Sequence, residues 1–297
     1  MIVLMNEVFI IIGLAIVGAA FGSFAGAQVW RLRARQLVED KKAGEKVDSK
    51  EYKRLLPLTK RPLLSDRSID LDTGKPLPWY DMIPVISWLL LRGRSRFSGK
   101  PIGKFELVME VGVALFFAVS YVMWPFELTN TVEIAKLIVW LAAGVVLAVQ
   151  FATDFKWQIL WTLLSYALIG LGVVYTVLTV IGSEDMIAAA SSAVGSVAIL
   201  GGLYFFLYWV SKERWVGLGD AILGVGLGLL LADWALALVA LFMANLIGTT
   251  IVLIGFATKK ITRKQHVPFG PMLIAGAVIA GLAGNAIIAW YFSVFLP

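Results

Sequence analysis

Apolar runs about as long as a bilayer is thick recur along this chain, and such a run has few folding options. In lipid every backbone N–H and C=O must be satisfied internally, so a spanning segment is a helix or part of a closed barrel. Eight runs are long, continuous and without strand-like alternation: residues 8–29, 107–124, 134–152, 159–181, 186–210, 216–232, 235–256 and 272–294. They predict an all-α polytopic membrane protein. The composition agrees, with 59% hydrophobic residues and a mean hydropathy of +0.83. The first run has no basic leading segment, so it is read as a retained helix and not as a cleaved signal. The sixth is short and glycine-rich, and part of it is expected to lie within protein instead of lipid.

Charge sets the expected orientation. Residues 31–104 carry 18 Lys/Arg against 9 Asp/Glu, and 25 of the 26 positive charges fall on one set of alternate loops. The opposite loops hold Glu7, Glu127, Glu133, Glu184, Asp185 and Asp233. By the positive-inside rule, residues 31–104 are cytoplasmic and both termini face outward. The net charge of +6 is thus a topology signal, and no nucleic-acid partner is implied. Three parts follow: a first transmembrane helix (1–30), a cytoplasmic loop domain (31–104) and a seven-helix membrane body (105–297). Within the loop domain, packing is expected around Trp79, Ile83, Val85, Ile86 and Trp88, stiffened by Pro76, Pro78 and Pro84.

The chain has no cysteine and a single histidine, His266. Disulfides, thiolate metal sites, cysteine nucleophiles and multi-histidine metalloprotease motifs are excluded. Carboxylates remain for hydrolytic chemistry. Asp154 closes the third run and Gly217-Leu218-Gly219-Asp220 opens the sixth, which puts both acids on the predicted inner face. Each alone reads equally well as a helix-end charge. The pair carries the argument. Two carboxylates held together do not both ionise readily, and one can activate water while the other, protonated, polarises a carbonyl. Gly217 and Gly219 would leave room for a substrate backbone beside the acid. Glu110, with Glu106 one turn earlier, reads either as a helix-end ion-pair group or as a substrate-contacting acid. Asp70 and Asp72 in one turn are a weak cation signal.

These motifs, in order, resemble the type IV prepilin peptidases, membrane aspartyl proteases of the Gly-x-Gly-Asp type. The resemblance rests on Gly22-Ser23-Phe24 with Arg31-Leu32, Trp79 to Trp88 with Arg92-Gly93-Arg94, Pro101-Ile102, Val108-Met109-Glu110, Asp154, Gly217–Asp220 and Phe269-Gly270-Pro271. It implies that Asp154 and Asp220 are catalytic. It also implies an inner-membrane enzyme that removes the basic leader of prepilins or pseudopilins on the cytoplasmic side, after a Gly. Many members then N-methylate the new terminus with S-adenosylmethionine. Many also bind zinc through two Cys-x-x-Cys pairs. Here those positions read Asp70, Thr73, Ser95 and Ser98, so zinc is not expected. An Asn of the family pattern is Gly26, and a Leu-Pro-Asp after the first aspartate is replaced by Ile159-Leu160-Trp161-Thr162.

The reading is a membrane-interface aspartyl endopeptidase acting on prepilins or pseudopilins. It needs no cofactor for proteolysis. It would use S-adenosylmethionine only if the methyltransferase activity is retained. Glu106, Glu110 and Asp81 are candidate partners for a basic leader, with Glu110, Gly217 and Gly219 taken as substrate-binding. Membrane lipid is the other partner, and oligomeric state is open. Two alternatives stand beside it. One is a proton- or cation-coupled transporter, whose acids usually sit near the midplane on broken helices. The other is a catalytically silent pilus or secretion assembly protein.

Overall fold

A computed structural model describes residues 2–59, 68–260, 262 and 267–295, with side chains from residue 6 onward. His266 lies outside the described residues. Seven helices are long and apolar enough to cross a membrane, and an eighth apolar helix is shorter. No extended strand occurs among the described residues. The chain is thus an all-α, multi-pass membrane protein. It divides into two compact units, Met1–Val119 and Ser120–Pro297.

In the first unit, helix α1 (Ile2–Lys42) runs well past the predicted end of the first span. Its charged extension is amphipathic. Ala34 and Leu37 face Leu55 and Leu58 of α2 (Ser49–Thr59), and Trp30, Tyr52, Ile69 and Leu71 pack at the edge of this cluster. Arg33 adds an ion pair to Glu51 at 2.8 Å. The chain then forms a short 3₁₀ turn (Trp79–Met82), a one-turn α3 (Ile86–Leu90) and the spanning helix α4 (Phe105–Val122).

The expected packing centre in this loop region is displaced. Trp79 is 73% exposed and Ile86 53%, so neither nucleates a core. The apolar cluster lies instead on the face of α1 that continues beyond the bilayer run. Trp88 is half-buried, with its indole N–H donating to the Gly103 carbonyl at 3.3 Å.

The second unit contains α5 (Thr131–Trp157), α6 (Thr162–Ile181), α7 (Met186–Val197), α8 (Leu203–Ser211), α9 (Leu218–Leu231), α10 (Trp234–Ala257) and α11 (Gly270–Phe295). Helices α7 and α8 are one span joined by a π-helical segment, Ala198–Gly202. Asp185 and Asp233 cap α7 and α10, each accepting from two first-turn amides, a common role for Asp at a helix start.

Helix α9 is the core of this unit. Its 14 residues rise roughly 21 Å, short of a ~30 Å hydrocarbon layer. Ala221, Leu223, Gly224, Gly226, Leu227, Gly228, Leu230 and Leu231 are all buried. A Cβ on Gly224 would strike the Leu200 carbonyl oxygen, and one on Gly228 would lie 2.8 Å from Val197 Cα. Glycine therefore lets α9 pack backbone to backbone against the π-helical span, as small residues do in membrane bundles. Asp220, in the first turn of α9, is half-buried at the end of this packed helix.

Candidate active site

The second unit brings the two predicted aspartates together. Asp154 lies in the last turn of α5, which ends at Gln158 in the left-handed conformation (φ 58°). Asp220 lies in the first turn of α9. There it accepts the Gly217 backbone N–H at 3.3 Å, while its own N–H donates to the Gly217 carbonyl at 3.2 Å. The two carboxylates are close enough to interact electrostatically. Asp154 is 5% exposed, and its Oδ2 is fully buried. The Gly270 backbone amide approaches this carboxyl from the N-terminus of α11.

Glycine at position 270 is a steric requirement of that approach. A Cβ there would sit 2.5 Å from Asp154 Oδ2 and 3.3 Å from its Cγ. The predicted Phe269-Gly270-Pro271 motif thereby gains a physical reason. Phe269 packs on Tyr204 with ring centroids 5.5 Å apart, and Tyr204 in turn lies within electrostatic reach of Asp220.

The two glycines of Gly217–Asp220 differ. A Cβ on Gly219 would meet Leu160 Cβ at 3.1 Å, whereas one on Gly217 would meet nothing closer than Asp220 Oδ2 at 3.6 Å. Gly219 is therefore packed against protein, and Gly217 borders open space beside the carboxylate. Leu160 also approaches Gly270, since a Cβ there would lie 3.2 Å from Leu160 Cδ2. It wedges between the two glycine positions that flank the aspartates.

Gln150 fixes that wedge. It is fully buried one helical turn before Asp154 and on the same face of α5. Its side-chain amide donates to the Trp161 carbonyl (3.0 Å) and Ser165 hydroxyl (2.8 Å), and its carbonyl accepts the Trp161 N–H (2.8 Å). The turn carrying Leu160 is thus tied to the helix carrying Asp154. Sequence reasoning missed Gln150, Leu160 and Tyr204. Gln150 had a usable signal, as a lone amide inside an apolar run.

Glu110 belongs to the first unit. It is 7% exposed and accepts the Val85 backbone N–H at 2.7 Å. Val85 has φ 62°, an uncommon conformation for a β-branched residue, and the Glu110 carboxylate stabilises it. Glu106 accepts the Trp30 indole N–H at 3.0 Å, and Asp81 is paired with Arg96 at 2.8 Å. All three acids considered for a basic leader therefore have internal partners, although Glu106 Oε2 has none among the described residues.

A multi-pass α-helical membrane protein with two acids at helix ends, within electrostatic reach of each other, is the class that fold and site define. The family model for the bacterial peptidase A24 N-terminal domain matches residues 16–124. A relative from Escherichia coli O78:H11, the type 4 prepilin-like proteins leader peptide-processing enzyme, is 30% identical over 205 residues, covering 67% of this chain and 68% of its own. Prepilin leader peptidase/N-methyltransferases from Xanthomonas campestris pv. campestris and Aeromonas hydrophila are 27% and 28% identical, covering 92% and 85% of this chain and 91% and 80% of theirs. The chain belongs to the type IV prepilin peptidases. No solved structure matches it.

Proposed function

We propose that the chain is an aspartyl endopeptidase that removes the leader of type IV prepilins or pseudopilins, with Asp154 and Asp220 as its acid–base pair. The observation that carries this is their mutual approach beside the open side of Gly217. One carboxylate takes a proton from a water as it attacks the scissile carbonyl, while the other donates a proton to the developing oxyanion. Collapse of the tetrahedral intermediate, with proton transfer to the amine, releases leader and mature pilin. An extended substrate backbone passes along Gly217. Incubating the purified protein with a prepilin tests this: leader release is the expected result. Proton or cation flux without cleavage would favour the transporter instead.

Gly217→Ala separates the substrate's space from the protein's own packing. Gly217 has φ −78° and ψ 156°, which alanine adopts freely, and the added Cβ meets only ordinary contacts. Thermal stability should be unchanged while kcat/KM falls by roughly tenfold or more as the substrate backbone is pushed back. Wild-type kcat/KM would remove Gly217 from the substrate path.

We assign the protein to the inner membrane, with residues 31–104 cytoplasmic and both termini outward, on the strength of the charge bias. Single cysteines at Glu45 and Glu184 should be labelled from opposite sides, Glu45 from the cytoplasm. Labelling from one side overturns the orientation.

N-methylation is the second activity that the relatives' names carry. Its donor, S-adenosylmethionine, would supply an electrophilic methyl group on a sulfonium cation. A cavity of about 230 Å³ within the first unit has Trp30, Trp88, Glu106 and Glu110 on its wall, and also Arg31, Arg54, Arg96 and Lys100, which would suit the donor's carboxylate. Carboxylates and aromatic faces suit a cation and a purine ring, so these residues fit the donor and would bind and orient it. Calorimetric titration should detect binding that Glu106→Gln weakens, and no heat with the wild type would refute the assignment.

A further inference from the structure

Two eight-residue stretches of the first unit share a Thr/Ser-Gly-Lys-Pro ending: Ile69-Asp70-Leu71-Asp72-Thr73-Gly74-Lys75-Pro76 and Arg94-Ser95-Arg96-Phe97-Ser98-Gly99-Lys100-Pro101. They also have matching folds. Each is closed by an isolated antiparallel bridge, Ile69 with Pro76 and Arg94 with Pro101. In each, the second residue's N–H reaches the lysine carbonyl, Asp70 to Lys75 at 2.9 Å and Ser95 to Lys100 at 2.8 Å. Gly74 and Gly99 both turn the chain at positive φ, 71° and 65°. The second side chain caps its own loop. Asp70 Oδ1 accepts from the Asp72 and Thr73 amides (3.0 and 2.7 Å), and Ser95 Oγ from those of Phe97 and Ser98 (3.2 and 3.3 Å).

The loops meet at one carboxylate. Asp70 Oδ2 accepts the Ser95 hydroxyl and, at 3.2 Å, the Ser98 hydroxyl, while the Thr73 hydroxyl donates to Oδ1 at 3.0 Å. Lys100 adds an ion pair to Asp72 at 2.9 Å. Asp70 is 6% exposed. Burial pushes its carboxyl up, but the bonds from Ser95, Thr73 and Asp72 outweigh this and hold it below the usual carboxylate range.

Positions 70, 73, 95 and 98 are those where the family resemblance implies a four-cysteine zinc site. The donor set does not fit that ion. Structural zinc is held by four thiolate or imidazole ligands, and here three neutral hydroxyls spend their protons on a carboxylate already receiving two amide bonds. Among the described residues, no group of three or more His, Cys, Asp or Glu converges to hold a metal.

We propose that Asp70 is a metal-free clasp: its buried carboxylate joins two paired knuckles by charge-assisted hydrogen bonds, in the place of a coordinated ion. The backbone scaffold of a four-ligand site persists, with the ligands exchanged for one acceptor and its donors. Bonds of this kind are roughly twice as strong as neutral ones. Its two oxygens divide the work, Oδ1 accepting from its own loop and Oδ2 from the hydroxyls of the other.

Two measurements on the full-length protein test this. Elemental analysis should find no zinc in the wild type and one per chain in the D70C/T73C/S95C/S98C variant. Chelators should lower the Tm of the variant alone. Asp70→Asn, which turns one acceptor into a donor facing two hydroxyls, should raise the rate of limited proteolysis within residues 31–104 by roughly tenfold. Stoichiometric zinc in the wild type overturns the proposal, as does a folded quadruple variant without zinc or wild-type protease resistance in Asp70→Asn. Should the quadruple variant fail to insert, the Asp70→Asn rate decides alone.

Discussion

Asp154→Asn and Asp220→Asn are each expected to abolish leader cleavage while the protein stays inserted and folded. Asparagine keeps the shape of the side chain but neither takes nor gives the catalytic proton. The loss should be at least roughly 10³-fold in kcat, the scale on which groups acting only in the transition state are felt. Residues that act as a unit are non-additive, so the double variant should be no worse than either single one. Stability carries a second signature. The two carboxylates repel one another, so neutralising either should leave Tm unchanged or raise it, as replacing a strained functional group often does. Either variant cleaving at near-normal rate removes that residue from the mechanism.

The next largest effect is expected at a residue with no functional atoms. Gly270→Ala puts a methyl group 2.5 Å from Asp154 Oδ2 and 3.2 Å from Leu160 Cδ2. Something must move, and the groups in reach are the carboxylate and the wedge that positions it. A shift of about 1 Å in a catalytic group can cost 10²-fold in rate, so kcat should fall at least that far. Overpacking of this kind typically costs about 1–3 kcal/mol of stability, small against the loss of activity. Gly170→Ala in α6 is the control, because a Cβ there meets nothing within 4 Å. It should retain full activity. Wild-type turnover by Gly270→Ala would mean that the Asp154 pocket is looser than its contacts indicate.

Much of this was legible in the sequence, for physical reasons. A span announces itself because lipid admits no other use of 20 apolar residues. The short α9 was recognisable by its glycines, and its burial follows from them. Other readings failed where tertiary context decides. The charges of residues 31–42 resemble the start of a loop, but Arg, Gln, Glu and Lys are good helix formers, and Ala34 and Leu37 give the extension an apolar face for α2. Trp79 and Ile86 looked like core because they are large and apolar, yet both are exposed. In the site, the aspartates and glycines were visible as types at helix ends. The distinction between Gly217 and Gly219 was not, because it depends on Leu160, which reaches them through the turn that Gln150 holds. The pairing of the 69–76 and 94–101 loops was present as a repeated Gly-Lys-Pro ending. Its meaning needed the hydrogen bonds that converge on Asp70.

The central claim is that Asp154 and Asp220 together hydrolyse one peptide bond of a prepilin. The most direct test incubates purified, membrane-reconstituted protein with a full-length prepilin, beside the Asp154→Asn variant, and maps the products by mass spectrometry. The account predicts a single cut after the glycine that ends the basic leader in the wild type, and intact prepilin in the variant. No cut by the wild type, or the same cut by both, would contradict it.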